Sequence, residues 1–149
     1  MNTINYFKAA ERALTERGRL ETALANLKRR RDRAISRSGP SGLSTVDYTK
    51  PYVSSGAAGD ALSSCLEVAT ITRQIAATEE EIAEIDRVLG QLEAADRDLL
   101  RAWYIEGKPK EEITEALSYS SRTSIYDLRN KAVSAFAVLY FGAPALPST

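Results

Sequence analysis

The sequence VATITRQIAATEEEIAEIDRVLGQL, residues 68–92, decides the fold, because its seam positions recur at helical spacing over more than three heptads. These positions, one of them a threonine, are Val68, Ile71, Ile75, Thr78, Ile82, Ile85, Leu89 and Leu92. Such a stripe is typical of a coiled-coil helix, which buries one face against a partner. The pattern predicts a long helix over about residues 60–92.

The partner is expected upstream, in a second long helix from Asn2 or Thr3 to about Ser36. Its small and apolar positions are also three and four residues apart, although Arg17 and Arg31 interrupt the stripe: Ala10, Ala13, Leu20, Leu24, Leu27 and Ala34. A Gly-, Pro- and Ser-rich segment, at about residues 37–59, predicts a loop between the helices.

That loop allows the two helices to fold back antiparallel, with Tyr48 and Tyr52 packed onto them. If the helix ends match, residues whose numbers add up to about 96 face each other. The hairpin could close within one chain or associate with a second copy into a homodimer, and the stripe alone does not distinguish the two. Cys65, the single cysteine, is expected to be a buried thiol.

The C-terminal third contains a second pattern, LLRAWYIEGKPKEEITEALSYSSRTSIYDLRNKAV over residues 99–133. Asp96 is predicted to cap a helix over residues 97–106, with Trp103 in its core, and Gly107 is predicted to end it. Pro109 then begins a short helix over residues 109–117. After a polar break, another helix is predicted from Ser121 or Arg122 to about residue 140. Two short helices joined by a tight turn make a helix-turn-helix.

This segment resembles region 4 of bacterial sigma factors and the phage-encoded late transcription regulators of the ArpU and RinA type. The matching residues are Trp103 to Gly107, Glu111 to Ile113, Leu117 to Ser120 and Ile125 to Ala132, although Ser118 stands where these families usually have glycine. The resemblance implies transcription regulation by a phage or prophage protein in the cytoplasm of a bacterial host, with RNA polymerase as a further candidate partner.

In a helix-turn-helix the second helix enters the major groove of duplex DNA. Arg122 could fork onto guanine or clamp a phosphate, and Asn130 could pair with adenine. Phosphate contacts are expected from hydroxyl and cationic side chains near this helix. The complete set of candidate DNA-binding residues is Ser120, Ser121, Arg122, Thr123, Tyr126, Arg129, Asn130, Lys108 and Lys110.

Charge is segregated along the chain. The 20 basic and 20 acidic residues cancel, yet residues 1–40 carry a net charge of +6, residues 59–98 of −7 and residues 118–135 of +2. The densest basic run is Lys28, Arg29, Arg30, Arg31 and Arg33. With matched helix ends this run would face residues 63–68, where Glu67 is the only acid, so it is a second candidate for binding nucleic acid or an acidic partner.

Enzymatic activity is not expected, because the chain has no histidine and one cysteine, and these residues supply the commonest general base and zinc ligands. No cofactor, metal or membrane partner is expected either. The sequence thus predicts an all-α protein with a long antiparallel helical hairpin over residues 1–93, a helix-turn-helix domain over residues 94–142 and a frayed tail over residues 143–149. Two alternatives stay open: a phage DNA-packaging protein resembling a small terminase subunit, and a helical adaptor that does not bind DNA.

Overall fold

The computed structural model of the chain describes residues 3–37, 55–117 and 124–147, with residues 55–60 described by their backbone alone. These ranges contain helices and no strand, so the predicted all-α class is confirmed. The α-helices are α1 (Tyr6–Arg37), α2 (Ser55–Gln91), α3 (Ala94–Leu100), α4 (Lys110–Ala116) and α5 (Ile125–Phe141). A π-helical turn, Arg101–Ile105, follows α3, and a 3-10 turn, Ala143–Ala145, follows α5.

The chain divides into two compact units. The larger unit comprises Met1–Glu21 and Glu81–Thr149, and the smaller unit comprises Thr22–Glu80. Both long helices therefore contribute to both units, whereas the sequence suggested a division between residues 93 and 94. The difference arises because the first turns of α1 and the last turns of α2 share one apolar core with α3, α4 and α5.

The core of the larger unit draws on all five α-helices of the described residues. Its buried residues are Ala10, Leu14, Ile85, Val88, Leu89, Leu92, Leu99, Leu100, Ile113, Ala132, Val133, Phe136 and Ala137. The seam of α2 therefore faces the core as the heptad pattern predicts. On α1, Leu14 is completely buried, although the predicted stripe did not include it.

Arg17, which interrupts the apolar stripe of α1, is held by a carboxylate of α2. Its guanidinium donates two hydrogen bonds to Asp86, from Nε to Oδ1 and from Nη2 to Oδ2, each of 2.9 Å. A bidentate pair of this kind supplies hydrogen-bond acceptors and a counter-charge to a cation that lies beside an apolar seam. The hydrogen bond to Asp86 is the main reason why the pKa of Arg17 is raised above its ordinary value.

In the smaller unit, α1 and α2 run antiparallel around a core of Ala34, Ile71 and Ile75. Lys28 lies 3.5 Å from Glu79, and Arg37 lies 3.3 Å from Glu67. Matched helix ends would have placed residues 68 and 59 opposite these two cations, so the predicted register is wrong by roughly one to one and a half heptads. The apolar seam could not reveal this, because a slip by one heptad returns every seam residue to the same face.

Two further sequence expectations are corrected in this region. Cys65 is exposed, so the expectation of a buried thiol is wrong. The helix α2 begins at Ser55, so the predicted loop extended too far at its C-terminal end. The expected packing of Tyr48 and Tyr52 lies outside the described residues.

The helix after the hairpin also begins earlier than predicted. Glu93 occupies the position before α3, and Asp96, the predicted cap, lies in the first helical turn. The predicted continuous helix over residues 97–106 instead changes at Arg101 into the π-helical turn. Gly107 ends it as expected, with a φ of 63°. At the other end of the domain, residues 143–145 of the predicted frayed tail form the 3-10 turn.

Replacing Leu14 by alanine is expected to lower the free energy of unfolding by about 2–5 kcal/mol, because the substitution leaves a cavity in a closed core. The matched control is Leu139→Ala in α5, where the leucine is 46% exposed. Urea denaturation monitored by circular dichroism measures both. Equal losses from the two variants would contradict the assignment of Leu14 to the core.

The two glycines Gly90 and Gly107 are expected to respond oppositely to alanine. Gly107 has a positive φ, so Gly107→Ala should cost about 1–2 kcal/mol of unfolding free energy. Gly90 lies within α2, and an added Cβ there meets nothing within 4 Å, so Gly90→Ala should stabilise by about 0.5–1 kcal/mol. Thermal unfolding of both variants checks the signs, and a loss of stability in Gly90→Ala would be the contrary result.

Candidate nucleic-acid interface

The candidate surface is built on the start of α5, which begins later than the sequence predicted. The helix begins at Ile125, with Ser124 as its N-cap. The Ser124 hydroxyl accepts a hydrogen bond of 3.2 Å from the backbone N–H of Tyr126. A serine at this position satisfies a backbone donor that has no partner inside the helix. The predicted start at Ser121 or Arg122 is therefore corrected to Ile125, with Ser124 as the N-cap, and the capping role expected of Ser120 and Ser121 lies outside the described residues.

The first turns of α5 expose several side chains, whereas its later turns are held in the core. Ala132, Val133, Phe136 and Ala137 are buried in the core of the larger unit. Tyr126, Asp127, Asn130 and Lys131 are exposed in the first turns. At about 100° per residue, Asp127 and Lys131 lie opposite the buried residues, whereas Tyr126 and Asn130 lie in line with Val133 and Ala137. The exposure expected for Tyr126, Asp127 and Asn130 is therefore confirmed, but of these three only Asp127 lies opposite the buried side.

Lys110, at the start of α4, contacts the aromatic side chain of Tyr126. Its ammonium group donates a hydrogen bond to the Tyr126 hydroxyl and lies 4.4 Å from the centroid of the same ring. The Tyr126 ring in turn packs edge-on against Trp103, with centroids 5.7 Å apart. These contacts bring one cation, one phenol hydroxyl and one indole together on the surface of the larger unit.

Arg129 is occupied by contacts within the protein. Its guanidinium lies 4.9 Å from the Trp103 ring, 3.6 Å from the Glu11 carboxylate and 3.5 Å from the Tyr104 hydroxyl. Its Nε also donates to the side-chain oxygen of Asn130 at 2.9 Å. An arginine with four partners inside the protein is better suited to positioning the helix than to reading a base. Asn130 keeps its two amide N–H donors for a partner.

The anchor for Arg129 comes from a residue far away in the sequence. The Glu11 carboxylate of α1 accepts a hydrogen bond of 2.7 Å from the Tyr104 hydroxyl. It also forms the ion pair with Arg129. Burial is the largest reason why the pKa of Tyr104 lies well above its ordinary value, and the hydrogen bond to Glu11 raises it further. Sequence reasoning missed Glu11, because no local pattern links it to α5.

The remaining charges of this surface are mixed in sign. Lys108 forms an ion pair of 3.0 Å with Glu106, and this contact raises the pKa of the lysine. Glu111 and Glu112 are exposed in the first turn of α4, where the helix dipole favours carboxylates. Among the described residues, Lys110 and Lys131 therefore supply the positive charge of the outward surface without a carboxylate partner.

The predicted DNA-binding residues fall into three groups in the structure. Lys110, Tyr126 and Asn130 are exposed near one another, whereas Lys108 and Arg129 are engaged by Glu106 and Glu11 respectively. Four predicted residues lie outside the described part of the chain: Ser120, Ser121, Arg122 and Thr123. The second basic run, Lys28 to Arg33, belongs to the smaller unit.

Comparisons of this chain with protein-family models, curated proteins and solved structures found no match. Among the described helices, none combines the length and the apolar character needed to cross a bilayer.

The stability of the protein is expected to fall above about pH 10, because two partly buried tyrosines resist ionisation in the folded state. Tyr104 and Tyr140 both have raised pKa values, that of Tyr140 being about 12. Below the ordinary tyrosine pKa both states are neutral, and above it the unfolded chain loses protons that the folded chain keeps. The stabilisation is therefore lost as pH rises.

Tyr104→Phe should lose stability less steeply with pH than the wild type, since Tyr140 alone still contributes. Urea denaturation at a series of alkaline pH values measures the slope. Tyr126→Phe is the control, because Tyr126 is exposed. An unchanged slope in Tyr104→Phe would mean that Tyr104 ionises as freely in the folded chain as in the unfolded one.

Proposed function

We propose that this protein is a DNA-binding transcription regulator whose helix α5 enters the major groove of duplex DNA. The observation that supports the proposal best is the division of α5 between exposed first turns and later turns that carry buried side chains. The helix is held in the core through Ala132, Val133 and Phe136, and its first turns expose Tyr126, Asp127 and Asn130 to solvent. A recognition helix requires this division, since it must be held by its own domain and still expose polar side chains at its N-terminal end.

Each exposed side chain suits one kind of DNA contact. The Asn130 amide can hydrogen-bond to the edge of an adenine. The Lys110 ammonium and the Tyr126 hydroxyl lie together and suit one phosphate oxygen. Asp127 would be repelled by phosphates and is compatible with DNA where it accepts a hydrogen bond from a cytosine amine.

Arg129 has a positioning role in this proposal. Its contacts with Glu11 and Trp103 tie α5 to α1 and to the π-helical turn within the larger unit. Side chains that read a DNA sequence need a rigid support, because a small displacement of these side chains weakens discrimination between bases before it weakens the overall affinity for DNA. Arg129 thus holds the surface that Asn130 and Tyr126 present.

The resemblance to phage late regulators of the ArpU and RinA type and to sigma region 4 extends the proposal. It favours a phage or prophage protein that acts in the cytoplasm of a bacterial cell, has no enzymatic activity and has RNA polymerase as a second partner. A homodimer formed through the long helices is a further part of the proposal, because dimeric regulators read two half-sites.

The test is selection of duplexes from a random-sequence DNA library by the full-length protein, followed by sequencing. We expect an enriched motif for the wild type. Asn130→Ala should relax the preference at one adenine of that motif by about 1–3 kcal/mol, or roughly 5- to 150-fold in relative affinity. The control is Leu139→Ala, on the opposite side of α5, which should leave the motif unchanged.

Lys110→Gln supplies an independent check of the phosphate contact. Because phosphates carry no sequence information, this variant should weaken binding to all duplexes alike and leave the motif intact. Enrichment of no motif by the wild type would favour a helical adaptor over a DNA reader. A ring oligomer in light scattering would instead favour a DNA-packaging protein.

A further inference from the structure

The smaller unit carries a basic stripe along α1, and this stripe has no role in the DNA contacts proposed for α5. The residues Thr22, Asn26, Arg29, Arg33 and Ser36 recur at spacings of three and four, and all of them are exposed. Residues with this spacing lie on one side of a helix. Arg30, also exposed, is at the edge of the same side.

The arginines of this stripe differ from the basic residues next to them in the sequence. Lys28 is paired with Glu79 at 3.5 Å, and Arg31 is half-buried and lies 3.7 Å from Asp32. Arg29, Arg30 and Arg33 form no ion pair with any residue in the described part of the chain. Among the described residues, the basic run thus divides into two cations that have a carboxylate partner, Lys28 and Arg31, and three that have none.

We propose that Arg29, Arg30 and Arg33, together with Asn26, bind the phosphate backbone of duplex DNA without reading its sequence. This inference rests on the proposed function for its choice of DNA, and it assigns a second contact surface to the same protein. The mixed charges around α5 leave that surface weakly basic, so a separate source of electrostatic affinity is needed. Most non-specific affinity for DNA comes from such lysine and arginine contacts.

The density of charge on the stripe fits a duplex. Arg29 and Arg33 are about 6 Å apart along the helix axis, at about 1.5 Å per residue. Over the same length of its own axis, duplex DNA carries about three or four phosphates. Three guanidinium groups within one helical turn can therefore each contact a phosphate.

The composition of the stripe favours DNA over an acidic protein surface. Amide, hydroxyl and guanidinium donors are the groups that contact phosphate oxygens in DNA complexes. Protein interfaces depend instead on buried aromatic or aliphatic anchors, and the stripe between Thr22 and Ser36 has no large apolar side chain. Ile35, which is 48% exposed, lies on a different side of α1.

The test compares two full-length variants with the same change of net charge. The stripe variant is Arg29→Gln, Arg30→Gln and Arg33→Gln. The control variant is Lys28→Gln, Arg31→Gln and Arg73→Gln, which removes three cations of the smaller unit that lie off the stripe. The probe is a random-sequence duplex of about 40 base pairs, titrated between about 50 and 200 mM potassium chloride.

We expect the slope of log affinity against log salt to fall by about 2–3 in the stripe variant, since each lost phosphate contact removes about 0.9. The control variant should keep the wild-type slope. An unchanged slope in the stripe variant, equal losses in both variants, or no binding of the duplex by the wild type at the lowest salt would each overturn the proposal.

Two additions separate the remaining explanations. The variant Arg29→Lys, Arg30→Lys and Arg33→Lys keeps the three charges and should therefore keep the salt slope. A smaller slope in this variant would point to altered folding or to a role other than phosphate binding, and it would reject the proposal. Polyglutamate and unlabelled DNA are compared, at equal charge, as competitors for the bound duplex. If polyglutamate competes as well as DNA, the stripe binds an acidic polypeptide and not DNA. If α5 does not read sequence, selection from the random library would enrich no motif, while the stripe variant would still show the expected fall in the slope of log affinity against log salt.

Discussion

The burial of one side of α5 is the constraint on which the candidate site depends. Val133 and Phe136 are fully enclosed by a core that also contains Leu14 of α1 and Leu89 of α2. A helix buried along one side cannot rotate about its axis without exposing large apolar side chains, which costs about 25 cal/mol for each Å² returned to water. The same packing that stabilises the larger unit therefore fixes how α5 presents the exposed side chains of its first turns, Tyr126, Asp127 and Asn130.

Cations close to the core are each held by a carboxylate from another part of the chain. Arg17 is paired with Asp86, and Arg129 is paired with Glu11. A half-buried guanidinium without such a partner would be strongly destabilising, so these pairs restrict how the helices of the larger unit can slide. They also remove Arg129 from the set of groups free to read DNA, and this role differs from the one its sequence position suggested.

The distribution of free charge explains how a neutral chain could bind a polyanion. Salt-dependent affinity follows from the phosphates that a protein surface neutralises and not from the total charge of the protein. In the smaller unit the acids of α2 engage Lys28 and Arg37, and no acid among the described residues pairs with Arg29, Arg30 or Arg33. On this interpretation sequence preference and electrostatic affinity belong to different helices, α5 and α1.

The sequence by itself determined the helical class, the two long helices, the break at Gly107 and the exposure of Tyr126 and Asn130, because these depend on periodicity and on local backbone preferences. The start of α5 was predicted too early: the sequence put it at Ser121 or Arg122, whereas the structure puts it at Ile125, with Ser124 as the N-cap. Tertiary structure alone decided the register of α1 against α2, because a heptad repeat is unchanged by a slip of seven residues. It alone also brought Glu11 to Arg129, since contacts between distant segments leave no periodic signal in the chain.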